Sequence, residues 1–148
     1  MHITIRLYQH RDLNTAAHLW FESWRSTDLA VAQLASETAM RERIDRELAS
    51  GWSLYLAENE AGELLGFLAL KTETKCLDQI FVAPRAQRRG VGQALLDFSK
   101  QLMPAGFWLR TAVDNIGACR FYERHGFKLS ETATHPTLGH RTVIYSWP

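Results

Sequence analysis

The sequence predicts an α/β fold, a mixed sheet with helices on both faces. Three observations carry that reading. Short apolar stretches bounded by Gly, Pro or polar turns read as strands. Longer stretches with apolar residues three and four apart read as helices. The two kinds interleave as β-α-α-β-β-β-α-β-α-β-β, an order that needs both faces of a sheet covered. The 148 residues suit one domain, 1–148, and 46% apolar with 22% charged residues is the balance of a soluble globule. A net charge of +1 supplies no global field, so no nucleic acid and no membrane is expected as partner.

Taken in order, residues 3–8 (ITIRLY) alternate apolar and polar, as a half-buried strand does. Leu13, Ala16, Ala17, Trp20 and Trp24 then recur at helical spacing, with Asp12 as N-cap. A second helix opens at Ser36, carries Met40, Ile44 and Leu48 four apart, and stops at Gly51. Residues 52–59 and 63–71 form a hairpin around Gly62, and KCLDQIFVAP gives a further strand ending at Pro84. Val91, Ala94, Leu95, Phe98 and Leu102 make one apolar stripe on a helix over 90–103. GFWLRTAV is a strand. DNIGACRFYERHGF is a short helix started at Asp114 or Asn115 and stopped at Gly126. KLSETA and HRTVIYSW are the last strands. The N-terminus has no apolar leader, and no run approaches the roughly eighteen apolar residues of a spanning helix, so a cytoplasmic protein is expected. Cys76 and Cys119 lack metal-like spacing and six scattered His form no HExxH, so no metal is expected.

The chemistry concentrates in FVAPRAQRRGVGQALL. Charge is densest in a glycine-hinged turn between a strand and a helix. A helix N-terminus offers unpaired N–H groups and a partial positive charge. Gly90 and Gly92 lack Cβ atoms, so a ligand can approach the backbone and φ > 0 is allowed. Gln87, Arg88 and Arg89 add donors and charge. The whole suits a diphosphate. A Walker loop fails for want of Lys-Ser or Lys-Thr, and a Rossmann fingerprint fails because Leu95 stands where its third Gly belongs.

Two segments resemble a known family. LDQIFVAPRAQRRGVGQALL is similar to the acetyl-CoA-binding core of the GNAT N-acetyltransferases, with its [Gln/Arg]-x-x-Gly-x-[Gly/Ala] signature. DNIGACRFYERHGF is similar to that family's Asn-x-x-Ala-x-x-Phe-Tyr-x-x-x-Gly-Phe segment, one strand later. The resemblance implies a mostly antiparallel central sheet whose fourth and fifth strands splay apart around the pantetheine arm. It implies acetyl-CoA as co-substrate, held by the 87–93 turn (Gln87, Arg88, Arg89, Gly90, Val91, Gly92, Gln93), by Ile80, Phe81 and Val82 of the fourth strand, and by Asn115, Ala118 and Tyr122. A backbone N–H of Phe81 or Val82 would face the thioester oxygen. Tyr122 would serve the departing thiolate. A phenol near pKa ~10 against a thiol near ~8.5 makes full proton transfer uphill by about 2 kcal/mol, so hydrogen bonding or partial transfer is expected unless the site lowers the phenol's pKa.

Direct attack by an amine needs no enzyme nucleophile, and Cys119 is expected to pack rather than react. An ammonium acceptor must lose a proton, and Asp78 is the expected base, with Glu73 and Glu22 as alternatives. The acceptor pocket is expected from Trp24, Leu29 and His135, with Trp20 and His140 nearby in the same elements. The acceptor is a small-molecule or peptide amine, and a homodimer is compatible with the resemblance. A non-catalytic acyl-CoA-binding module on the same fold is the alternative, against which Tyr122 speaks.

Overall fold

A computed structural model describes residues 2–26, 36–135 and 139–148. Seven strands form one sheet: β1 (Thr4–Leu7), β2 (Ser53–Glu58), β3 (Leu64–Lys71), β4 (Cys76–Val82), β5 (Phe107–Ala112), β6 (Lys128–Thr134) and β7 (Arg141–Trp147). Four α-helices accompany them among the described residues: α1 (Leu13–Arg25), α2 (Glu37–Ala49), α3 (Val91–Leu102) and α4 (Ile116–Arg124). The element order is the expected one. The strands lie in the order β1-β2-β3-β4-β5-β7-β6. All neighbours pair antiparallel except β4 and β5, which are parallel.

Alternation along β3 decides which helix covers which face. Phe67 points at α1, where its ring centroid lies 5.3 Å from that of Trp20. Gly66, its neighbour, points the other way, and a Cβ there would stand 2.9 Å from Leu95 Cδ1 and 3.0 Å from Val91 Cγ1 of α3. Absence of a side chain at Gly66 is what lets α3 lie close to the sheet. The core is the sum of both contacts: Ala16, Ala17, Trp20 and Ile44 from the first two helices, Leu54, Phe67, Leu68 and Leu70 from the sheet, and Val91, Leu95 and Leu96 from α3. Phe107, Tyr122, Phe127 and Tyr145 extend it under α4.

Two irregularities position the site. The parallel β4–β5 ladder has only two pairs, Cys76 with Trp108 and Leu77 with Leu109. Beyond them the strands part, while β4 stays on β3 as far as Val82 and β5 stays on β7 as far as Ala112. The second irregularity lies at the root of that fork. Ala69 pairs with Gln79 and Leu70 with Leu77, which leaves Asp78 as the extra residue of a β-bulge.

Local capping agrees with the sequence reading in two places and differs in one. The Ser36 hydroxyl accepts from Ala39 N at 3.1 Å, and Asn115 rather than Asp114 caps α4, its Oδ1 accepting from Ala118 N at 3.2 Å. Asp12 precedes α1 but its side chain does not cap it. A single 3-10 turn, His10–Asp12, intervenes, and the buried carboxylate accepts from Arg6 Nη1 and Nη2 at 2.9 and 3.0 Å and from Gln9 N at 2.8 Å. Two guanidinium bonds outweigh one backbone N–H, so the side chain turns to β1. The same hydrogen bonds hold the Asp12 carboxyl below its ordinary pKa, against the opposing effect of burial.

Candidate active site

The fork opens into a cleft of about 960 Å³ that runs from the 87–93 turn, past β4, to the α1–α2 side of the sheet. Its end at the 87–93 turn is built by backbone conformation. Arg88 has φ +65° and Gly90 φ +84°, two left-handed residues either side of Arg89. Arg88 is the costly one, since a Cβ disfavours that region, and such strain clusters at ligand-binding turns. Gly90 has open space around the position of a Cβ, so the backbone angle, not crowding, requires glycine there. α3 then starts at Val91, and the N–H groups of its first turn have no partner within the helix. Val91 itself is buried, so only its backbone faces the turn.

Gln87, Arg88, Gly90, Gly92 and Gln93 line the cleft. Arg89 is exposed and does not, so the two arginines of the turn point different ways. Gly92 has a reason the sequence did not disclose. A Cβ there would stand 3.1 Å from Phe121 Cζ, so glycine permits α4 to pack against the start of α3. From α4, Asn115, Ala118 and Tyr122 line the same cleft. Arg120 and Arg124 do too; the sequence reading missed them, although their four-residue spacing on one helix face was the available signal.

The β4 backbone supplies the middle of the cleft. Ala83 N donates to Leu65 O of β3 at 2.8 Å. Alternation therefore turns the Phe81 N–H toward β3 as well, and turns those of Ile80 and Val82 toward the fork. This corrects the expectation for Phe81, whose N–H is directed into the sheet. The end of the strand is fixed by Ser23 of α1, buried, whose Oγ donates to Val82 O at 2.9 Å.

Tyr122 is 6% exposed, with its ring 5.6 Å from Phe127 and 6.0 Å from Tyr145. Burial, reinforced by the neighbouring Cys119, pushes its phenol above the ordinary value. The site thus raises this pKa rather than lowering it, and the neutral hydroxyl is the form retained. Cys119 is directed at Ala112 O, with Sγ 3.9 Å away, and is a packed thiol.

At the far end, Asp78 Oδ2 accepts from Trp52 Nε1 at 2.7 Å and lies 4.0 Å from Lys71 Nζ. It is the one carboxylate lining the cleft among the described residues. Glu22 pairs with His18 instead, at 3.2 Å, and Glu73 is exposed in a 3-10 turn, so neither alternative reaches the cleft. Trp24 lines the cleft half-buried, edge-on to Phe81, and Trp20 borders it from the core at 2% exposure. His135 and His140 stack with centroids 4.9 Å apart. Burial, then the proximity of His140, Arg110 and Arg43, lowers the pKa of His135 and favours its neutral form. Leu29 lies outside the described residues.

A family profile described as Acetyltransferase (GNAT) family matches residues 11–127. A stretch of 89 residues is 38% identical to the peptidyl-lysine N-acetyltransferase YiaC of Escherichia coli K12, covering 60% of this chain and 60% of that protein. The apo form of YjaB from Escherichia coli superposes with a TM-score of 0.75 at 23% identity, over 99% of this chain and 98% of that one. PaiA N-acetyltransferase from Thermoplasma acidophilum, in complex with coenzyme A, gives 0.75 at 22%, over 99% and 100%. At such identities the superpositions speak for the fold. Among the described residues no helix is long and apolar enough to cross a membrane.

Proposed function

This chain belongs to the GNAT acetyltransferase family, and from that premise we propose that it moves an acetyl group from acetyl-CoA to a primary amine by direct attack in a ternary complex. The observation that carries the proposal is one cleft joining three features: the left-handed turn at 88–90, the free β4 edge beyond Leu77, and the Tyr122 hydroxyl side. The residues present fit the cofactor. The N–H groups opening α3, with Arg88, Arg120 and Arg124, suit its phosphates. The N–H groups of Ile80 and Val82 face the fork, where the amides of an extended arm would add as a strand does. The thioester that this arm carries supplies the activated acyl group.

The chain's own tasks are then few. Val82 N–H, directed into the fork, is the donor toward the thioester oxygen. Tyr122 hydrogen-bonds the leaving sulfur as a neutral phenol. Asp78, aimed by its bulge and oriented by Trp52, attracts the ammonium and takes its proton, directly or through water. Asn115 holds α4 with its Oδ1 and presents its amide nitrogen to the ligand. The YiaC relative is a peptidyl-lysine acetyltransferase by name, and a lysine side chain is a primary amine of the kind proposed.

The test is release of free thiol from acetyl-CoA with a panel of amines, paired with calorimetric titration of CoA and of dephosphorylated pantetheine. We expect amine-dependent release and much tighter binding of CoA than of pantetheine. Tight acetyl-CoA binding without release to any amine would leave a binding module. Equal affinity for the two ligands would remove the phosphate turn.

A further inference from the structure

Two arginines of the cleft stand away from the turn proposed for the phosphates. Among the described residues it is lined by five arginines and by one carboxylate, Asp78. Arg88, Arg120 and Arg124 stand around the phosphate turn. Arg43 and Arg110 do not. Arg43 lies on α2 with its guanidinium 5.1 Å over the Trp20 ring. Arg110 follows Leu109, the last β5 residue paired with β4, and its guanidinium lies 5.7 Å over the Trp108 ring. Asp78 and Arg110 each follow the last β4–β5 pair, Leu77 with Leu109, so both stand at the root of the fork. Arg43, Asp78, Arg110 and His135 all line this cleft, and the two arginines act against protonation of His135 while Asp78 acts in favour of it. Neither arginine has a carboxylate partner among the described residues, while Asp78 has Trp52 and Lys71. The Nδ1 of His140, stacked on His135, is buried and also lacks a partner.

Resting on the acetyltransfer reading, we propose that this end of the cleft selects an amine that carries a carboxylate nearby, with the ammonium toward Asp78 and the carboxylate toward Arg43 and Arg110. A guanidinium held over an indole ring can still present N–H groups to a carboxylate, whose two oxygens match its fork. A polycationic amine meets two unneutralised arginines for one acid, and is disfavoured. Such a carboxylate belongs either to a free amino acid or to an acidic residue beside a peptide lysine.

Two matched pairs separate these sources: Nα-acetyl-lysine against its carboxamide, and a lysine pentapeptide with Glu neighbours against one with Gln neighbours. Spermidine is the polycationic control. Each is measured twice, as kcat/KM at saturating acetyl-CoA and as equilibrium binding to the CoA-loaded protein by calorimetry. We expect the acid member of one pair to be favoured about tenfold or more, the size of a charge-assisted hydrogen bond, and the pair that shows it names the source. Arg43→Gln and Arg110→Gln should move that ratio toward one, and Arg110→Glu should invert it. Arg110 is exposed, so its variants are expected to fold, and the ratio is the readout rather than the absolute rate. Equal treatment of acid and amide in both pairs, preference for spermidine, or a ratio that ignores both arginines would overturn the proposal. Binding keeps the two readings apart: if no acceptor is acetylated but the acid still binds better through Arg110, transfer fails and the carboxylate site stands.

Discussion

Tyr122 joins burial to chemistry. Its raised pKa makes it a poor source of a fully transferred proton and a durable hydrogen-bond donor. Because the pKa is raised, the donor form is complete below the ordinary phenol value near ~10 and is lost only as pH climbs through the higher folded value. We therefore expect wild-type kcat to hold its Tyr122 dependence through neutral and mildly alkaline pH, with any fall due to this group lying above pH ~10. Tyr122→Phe keeps the ring against Phe127 and Tyr145 and removes the hydroxyl. The chemical step should slow by roughly 10²–10³, within the range of a positioned acid, while CoA affinity stays within a few-fold. Single-turnover kinetics at saturating acetyl-CoA separates these quantities, since product release otherwise masks the step. A mutant that matches wild type in that step would make Tyr122 structural.

At the scale of elements, α3 packs closely on β3 at Gly66. Gly66→Ala would place a methyl 2.9 Å from Leu95, 3.0 Å from Val91 and 3.3 Å from the Phe81 carbonyl. The helix must lift or tilt, and we expect a loss of about 1–3 kcal/mol in denaturant unfolding. The start of α3 is also where we propose the phosphates bind, so CoA affinity should fall in the same variant. Unchanged stability in Gly66→Ala would show that Leu95 and Val91 yield freely. Elements of this kind were legible in the sequence because period, caps and glycines are local signals: the order and the α3 start followed from them, and the α4 start was narrowed to Asp114 or Asn115. The parting of β4 from β5 came from resemblance alone, since nothing in either strand's own residues says how far pairing runs. The bulge was hidden for the same reason. Asp78 reads as one strand residue among others until the β3 register shows it to be surplus. Arg43 and Arg110 were unreadable as a pair because 67 positions separate them, and only the fold brings both to the cleft that His135 also lines. Phe121 as the reason for Gly92 belongs to the same class of long-range cause.

As a whole, the molecule is two sheet segments joined at the base of a fork, β1 to β4 with the first three helices and β5 to β7 with α4. The proposed cofactor touches both, through the turn before α3 and through α4. A ligand that binds only the folded state at 100 times its Kd stabilises by about 2.7 kcal/mol, which for a domain of this size corresponds to roughly 5–10 °C in Tm. We expect saturating CoA to raise Tm by that amount and to slow amide exchange at Ile80 and Val82, whose N–H groups face the fork. A Tm shift without protection at those two amides would place CoA elsewhere on the protein.

The fork also has a consequence for solubility. A strand with one unpaired side is a template for stray chains, and proteins usually blunt such borders with charge, proline or short length. Here the unpaired border of β4 lies in the interior of a sheet rather than at its rim. It is sheltered by concavity, with Asp78 at its base and Pro84 just past its end. On the proposed reading, the ligand of the fork is its natural cover. The acyl donor would then double as a missing strand, and a cell short of it would leave open the place where a foreign segment can add.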